Sequence, residues 1–330
     1  MTVRRKRLGR SWLLVSEVGL GTMNFGSQLS ESQAHDILDA ALERGISFID
    51  TAELYSSPPS LDSYGRSEEV IGSWLASGKR RDAIVLASKI VGPIDGRYQS
   101  GAHIRSGQAT LDPFHIERAI DGTLKRLRTD YIDLMQFHWP DPIVSWHEQL
   151  KAIDRAIAKG KIRYFGCSNE SAWGLMRAVA CSERYDLPRP TSVQNVLNVL
   201  QQDEYRQVEE TCRQEGIGFI AYSPLAMGLL SGKYRGQSLP QGSRFQRYDR
   251  YRDQYLREEW MGKVDNLAQV AESRGITLAQ LAFWWTLTRR SVAVVLTSVS
   301  SVTQFDAVMC ATDMAEAETD IELRWPSPDA

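Results

Sequence analysis

The chain has few of the features that announce common chemistries. Only four cysteines occur in 330 residues, Cys167, Cys181, Cys212 and Cys310, and none forms a Cys-x-x-Cys pair. That spacing argues against a disulfide framework and fits reduced, inert thiols in a cytoplasmic protein. The five histidines are scattered and no His-Glu-x-x-His occurs, so no metal site is expected. No apolar run is long enough to cross a bilayer, and the basic start from Met1 to Arg7 is not followed by the apolar stretch of a secretory signal. With 39 basic against 41 acidic residues, the net charge of −2 offers no basic excess for nucleic acid or an anionic membrane. Phosphate-binding fingerprints are incomplete as well. Gly19-Leu20-Gly21 begins like Gly-x-Gly-x-x-Gly, but Asn24 takes the place of the third glycine. Gly228 to Lys233 falls one residue short of a P-loop, and Tyr234 follows the lysine.

What the chain does contain is one unit, repeated: a short apolar run, a loop, an amphipathic stretch and a Gly or polar break. After a hairpin over Val3–Val15, with its turn near Gly9-Arg10, strands are predicted near residues 17–22, 46–50, 83–88, 131–137, 161–166, 191–195, 217–222 and 292–297. The first helix opens at Ser30, with Gln33 at capping-box spacing, and ends at Gly45. Further helices are predicted near 66–77, 114–127, 145–159, 171–184, 202–215, 262–274 and 301–311. Eight strands alternating with helices read as a (β/α)8 TIM barrel, one domain over 1–330 with its core at about 17–311. Two segments, Val91–Asp112 and Gly232–Tyr255, break the rhythm and read as long loops on the catalytic face. The acidic tail from Asp313 carries no legible chemistry.

Ionisable groups gather where strands end. Asp-Thr-Ala-Glu-Leu-Tyr, Asp50 to Tyr55, follows the run Ile46–Ile49; Lys89 follows Ala83–Ser88; His138 follows Tyr131–Phe137. Asp50, Tyr55, Lys89 and His138 in this order resemble the catalytic tetrad of the aldo-keto reductases. Gly19–Gly26, Gly160–Asn169 and Ala221–Ala226 are similar to that family's first, fifth and seventh strand segments, and the likeness runs from about residue 3 to about residue 310. His138-Trp139-Pro140-Asp141 resembles the bacterial Tas-like branch more than the mammalian aldose-reductase branch.

The resemblance implies a barrel whose N-terminal β-hairpin caps its bottom, and a reaction that reduces an aldehyde or ketone to an alcohol, or the reverse. Side chains cannot supply a hydride, so NADPH is implied, with NADH as the alternative. Tyr55 would give the proton, Lys89 would favour the phenolate, Asp50 would hold Lys89 charged, and His138 would hydrogen-bond the substrate oxygen. Trp139 would join Tyr55 and His138 at the substrate; by their loop positions Tyr64, Tyr98 and Tyr248 are either further pocket aromatics or surface ones. For the cofactor the resemblance implies Gly21, Thr22 and Met23 at the mouth, beside Asp50. Ser168, Asn169 and Gln194 would hold the carboxamide, and Tyr222 would lie on the nicotinamide ring. Ser223, Leu225, Gly228 and Lys233 would hold the pyrophosphate, Arg244 would close over it, and Ser298 and Gln304 would lie at the adenosine end. No Lys or Arg lies between Val292 and Val308, so Arg289 and Arg290 are the basic residues expected near a 2′-phosphate. Two other readings remain: a reductase of a nucleotide-linked keto sugar, and a cofactor-bound sensing or channel-regulatory subunit with little turnover. Oligomeric state is not legible.

Overall fold

The alternating segments close on themselves instead of opening into a sheet. The computed structural model describes residues 3–78, 80–93, 109–236 and 239–318. An antiparallel hairpin comes first, β1 (Arg5–Arg7) with β2 (Leu14–Ser16). Eight parallel strands follow: β3 (Val18–Gly21), β4 (Phe48–Asp50), β5 (Val85–Ile90), β6 (Ile132–Phe137), β7 (Ile162–Ser168), β8 (Ser192–Val196), β9 (Gly218–Tyr222) and β10 (Val292–Thr297). Each pairs with its neighbour in the chain, and β10 returns to β3, with Leu296 opposite Gly19. The fold is the expected (β/α)8 barrel. Helices α1 (Glu31–Glu43), α2 (Arg66–Ala76), α3 (Pro113–Leu127), α4 (Trp146–Ala158), α5 (Ala172–Tyr185) and α6 (Asp203–Glu215) follow the first six barrel strands. After β9 come α7 (Arg244–Arg247), α8 (Asp249–Tyr255), α9 (Glu258–Ser273) and α10 (Leu278–Leu287); α11 (Gln304–Ala317) follows β10.

Strand alternation sends one set of side chains outward to the helices and the other inward. Outward Ile49, Leu86, Met135 and Phe165 pack with Ile37, Trp74, Ile120 and Ile153 of the helices. Inward Phe48, Ala87, Leu134, Ile220 and Val294 form a separate inner cluster, which Leu8, Leu13 and Val15 of the hairpin complete. Each such large side chain contributes roughly 1.5–3 kcal/mol on burial. The hairpin thus caps the barrel bottom as expected. Its turn lies flat on the incoming strand ends: Gly9 has φ +55°, and a Cβ there would fall 2.5 Å from the Thr191 carbonyl oxygen. The Ser30–Gln33 capping box forms, and Ser145–Glu148 and Thr277–Gln280 repeat it.

Several boundaries differ from expectation. β5 runs to Ile90, so Lys89 is inside the strand and not beyond it. Gly232–Tyr255 is not one irregular loop, since it contains α7 and α8. The helix expected at 262–274 is α9, but the helix packed on β10 and α11 is α10, which was not anticipated. α10 is buried nearly all round and so lacks the polar face that makes a helix legible. α11 extends to Ala317, into the start of the acidic tail. Most of the expected loop at 91–112, including Tyr98, and most of the tail lie outside the described residues. Among the described residues no helix is long and apolar enough to cross a membrane.

Candidate active site

The barrel interior changes character at the carboxyl ends of its strands, the face that carries active sites in this architecture. Phe48, Ala87, Leu134 and Ile220 belong to the inner apolar cluster. Two residues further along the same strands stand Asp50, Lys89, Gln136 and Tyr222. Lys89 is 1% exposed and Asp50 2%, so neither charge is hydrated and each needs a partner. Lys89 Nζ donates to Asp50 Oδ2 at 2.5 Å, to the Thr51 carbonyl at 2.9 Å and to the Tyr55 hydroxyl at 3.5 Å. Those three bonds use all three ammonium donors. Asp50 Oδ1 in turn accepts from Gln194 Nε2 at 2.9 Å and from Gln136 Nε2 at 3.2 Å. The Tyr55 ring meets the edge of His138 with centroids 5.7 Å apart, and His138 stacks on Trp139 at 3.8 Å. The four expected tetrad residues therefore converge on one spot at the barrel mouth. Burial pulls the Lys89 ammonium below its usual value, with Asp50 and Glu68 pushing back. Burial, reinforced by Lys89, holds His138 well below 6.5, and its Nδ1 is buried with no partner among the described residues. An ammonium beside a phenol favours the phenolate, and a neutral imidazole next to it can donate or accept a hydrogen bond.

The expected cofactor residues fall into three groups. The first joins the tetrad. Ser168 Oγ donates to the Gln194 carbonyl at 2.8 Å, and Asn169 Nδ2 donates to the His138 carbonyl at 2.9 Å. The Tyr222 hydroxyl donates to Asn169 Oδ1 at 2.8 Å. Asn169 reaches these partners from a left-handed backbone, φ +55°. The second group is the turn after β9. Ser223, Ala226, Met227 and Gly228 all have positive φ, and the Leu225 carbonyl accepts from the Gly228 and Leu230 amides. Lys233 folds back on it, since a Cβ on Gly228 would lie 3.5 Å from its Nζ. Arg244 Nη1 lies 3.1 Å from Met227 Sδ. Two cations over such a turn make a concavity suited to an anion. The third group closes the barrel seam. Ser298 Oγ donates to the Gly21 carbonyl at 3.0 Å, and Asn24 Nδ2 to the Val299 carbonyl at 2.8 Å. Thr22 is tied to the Asp50 carbonyl through both its amide and its hydroxyl, and the Met23 carbonyl accepts from the Ser57 amide. The Gln304 amide bonds to Ser300, accepting at 2.9 Å and donating at 3.1 Å.

One expectation at the adenosine end is overturned. Arg289 and Arg290 precede β10, whereas Ser298 and Ser300 follow it, and a strand from Val292 to Thr297 separates them by about 16 Å. Arg289 stacks instead on Trp285, 4.6 Å from its centroid. A basic group does reach the start of α11 from the end of α1: Arg44 lies 5.7 Å from the Phe305 ring centroid and 3.4 Å from Asp306.

Residues 17–321 match the model of the Aldo/keto reductase family. The chain belongs to that family. The reductase is 37% identical over 318 residues to Protein tas of Escherichia coli K12, an alignment covering 90% of each chain. It is 38% identical over 227 residues to the uncharacterized oxidoreductase YrpG of Bacillus subtilis, covering 68% of each. It is 32% identical over 323 residues to a probable voltage-gated potassium channel subunit beta of Arabidopsis thaliana, covering 96% of this chain and 94% of that one. The family is one of NAD(P)H-dependent oxidoreductases acting on small carbonyl compounds.

Three polar residues of the reductase's site escaped the reading of the sequence. Gln136 is one. Glu53 and Glu68, both fully buried, are the others. Glu53 accepts from the Val91 amide at 2.8 Å and from the Tyr64 hydroxyl at 2.6 Å. Glu68 accepts from Ser88 Oγ and from Arg126 Nε, each at 2.6 Å, although burial raises it above the usual carboxylate range. Both brace the strand that carries Lys89. Tyr64 is thereby a partner of Glu53, whereas Tyr248 makes an edge contact with Tyr251 in the α7–α8 segment.

The state of His138 sets an expectation for stability. The unfolded chain takes up a proton near 6.5, whereas the folded reductase keeps this imidazole neutral to much lower pH. Below 6.5 the unfolded state binds more protons, so stability is full above that value and is lost as pH falls. The slope for one group is up to about 1.4 kcal/mol per pH unit. Urea melts of wild type and His138→Asn between neutral and mildly acidic pH should show a flatter curve for the variant. Equal slopes would place the titration elsewhere.

Proposed function

We propose that the reductase converts a small aldehyde or ketone to an alcohol, with Tyr55 as proton donor and NADPH, ahead of NADH, as the dinucleotide. The observation that carries this is the convergence of Tyr55, Lys89, Asp50 and His138 at the barrel mouth, beside Gln194, Asn169 and Tyr222. The residues suit the cofactor. Gln194 is buried, and its Oε1 accepts from no described residue, which leaves it open to a carboxamide N–H. The turn from Ser223 to Gly228, with Lys233 and Arg244, suits a pyrophosphate. Ser298, Ser300, Gln304 and Arg44 are the polar set available at the adenosine end, and Arg44 is the basic residue that favours NADPH. When bound, the reduced nicotinamide would supply the hydride that no side chain can. Tyr55 gives its proton to the carbonyl oxygen, and Lys89 stabilises the phenolate left behind. Asp50 keeps Lys89 charged where burial alone would not. His138, held neutral, hydrogen-bonds the same oxygen, and Trp139 stacks behind it to fix the ring.

The likeness to a protein named as a probable potassium channel subunit beta favours one second reading, a cofactor-bound sensor with little turnover. The fluorescence of bound NADPH separates the two. Under the enzyme reading it decays steadily when simple aldehydes and ketones are added in turn. Tight binding with no decay across such a panel favours the sensor, and clearly tighter binding of NADH overturns the choice of NADPH.

A further inference from the structure

Gln136 is fully buried on the inward face of β6, and the reaction described above gives it no part. Its Nε2 donates to Asp50 Oδ1 at 3.2 Å. Gln194 Nε2 donates to the same oxygen at 2.9 Å and to Gln136 Oε1 at 3.3 Å. A carboxylate only accepts, so Asp50 fixes which end of each amide faces it. Gln136 must then turn its oxygen to Gln194. Both hydrogens of Gln194 Nε2 are committed, one to Asp50 and one to Gln136, and the plane of that amide is set. Its Oε1 is left facing away from both, with no donor among the described residues. The other oxygen of Asp50 belongs to Lys89, at 2.5 Å.

We infer that Gln136 is a positioning residue: it locks the Gln194 amide so that Oε1 is presented as the acceptor for the nicotinamide carboxamide, and ties that acceptor to the carboxylate that holds Lys89. The inference rests on reading the site as a dinucleotide site. Without Gln136, Asp50 still holds one hydrogen of Gln194, but the amide is free to swing about that single bond. Gln194 then has to be ordered at the moment of binding, which weakens the complex. One hydrogen bond of ordinary net strength corresponds to about three- to tenfold in affinity.

The test measures dissociation constants by quenching of protein fluorescence, with whichever of NADPH and NADH binds wild type more tightly. The matching ADP-ribose, 2′-phosphorylated for NADPH, lacks the nicotinamide and is the control ligand. Gln136→Met should weaken the dinucleotide about three- to tenfold and leave the ADP-ribose unchanged. In a Gln194→Leu background the same substitution should have no further effect. Unchanged dinucleotide affinity, equal weakening of both ligands, or additive losses in the double variant would each overturn the assignment. Thermal melting shows whether Gln136→Met is folded, and Gln136→Ser, which gives up volume but keeps a polar atom, serves if it is not. A wild type that binds neither dinucleotide overturns the functional reading itself, and this inference with it.

Discussion

Tyr55→Phe is expected to lower the turnover number by roughly 10²- to 10⁴-fold, the usual contribution of a positioned general acid. Dinucleotide affinity should be unchanged. The substitution removes one oxygen and keeps the ring, so its edge contact with His138 at 5.7 Å survives. The Lys89–Tyr55 bond, at 3.5 Å, is the longest of the three that Lys89 makes. Lys89 keeps Asp50 and the Thr51 carbonyl, and the fold loses little. None of the bonds described for Ser168, Asn169 and Gln194, the residues proposed to hold the carboxamide, is made to the Tyr55 hydroxyl. A kinetic defect without a binding defect is therefore the signature of the proton donor. Steady-state rates on a good carbonyl substrate, with dissociation constants from fluorescence quenching, provide the check. Near-normal turnover would remove Tyr55 from the role and leave His138 as the remaining donor at that oxygen.

Ionisable groups near the ends of apolar runs are legible in a sequence, and neutral polar groups inside such runs are not. Asp50, Lys89 and His138 stand out because each is an ionisable side chain directly after an apolar run, and Tyr55 because it lies in the loop that follows Asp50. Gln136 is different. It sits inside the run from Tyr131 to Phe137, where a single neutral amide looks like a lapse in hydrophobicity. Its meaning depends on phase: it is the inward position two residues beyond Leu134, as Lys89 is two beyond Ala87 and Asp50 two beyond Phe48. Period-two alternation applied to all the strands together, instead of each run by itself, would have brought out this polar layer. Arg44 was illegible for another reason. Its neighbour Phe305 is more than half the chain away in sequence, and only barrel closure, with β10 beside β3, brings α1's end against α11. α10 is illegible because a helix buried nearly all round has almost no polar face, and so little period to detect.

The buried ion pair makes the second large effect separable into stability and catalysis. Lys89→Met should abolish measurable turnover and also destabilise the fold by about 3–5 kcal/mol. The stability loss comes from Asp50, which is 2% exposed and loses the cation that offsets the dehydration of its carboxylate. Gln136 and Gln194 still donate to Oδ1, and two neutral amides do not replace an ammonium on Oδ2. Asp50→Asn with Lys89→Met removes both charges at once. That double variant should recover most of the lost stability, because replacing a buried pair by neutral groups of similar size is often close to neutral. It should recover none of the turnover, since the phenol then has no ammonium to stabilise its conjugate base. Urea denaturation gives the first quantity and steady-state kinetics the second. If the double variant is no more stable than Lys89→Met, the cost was lost packing of the lysine stem and not a stranded charge. If it regains turnover, the proton leaves Tyr55 without help from Lys89, and the electrostatic account of the acid fails even though its geometry stands.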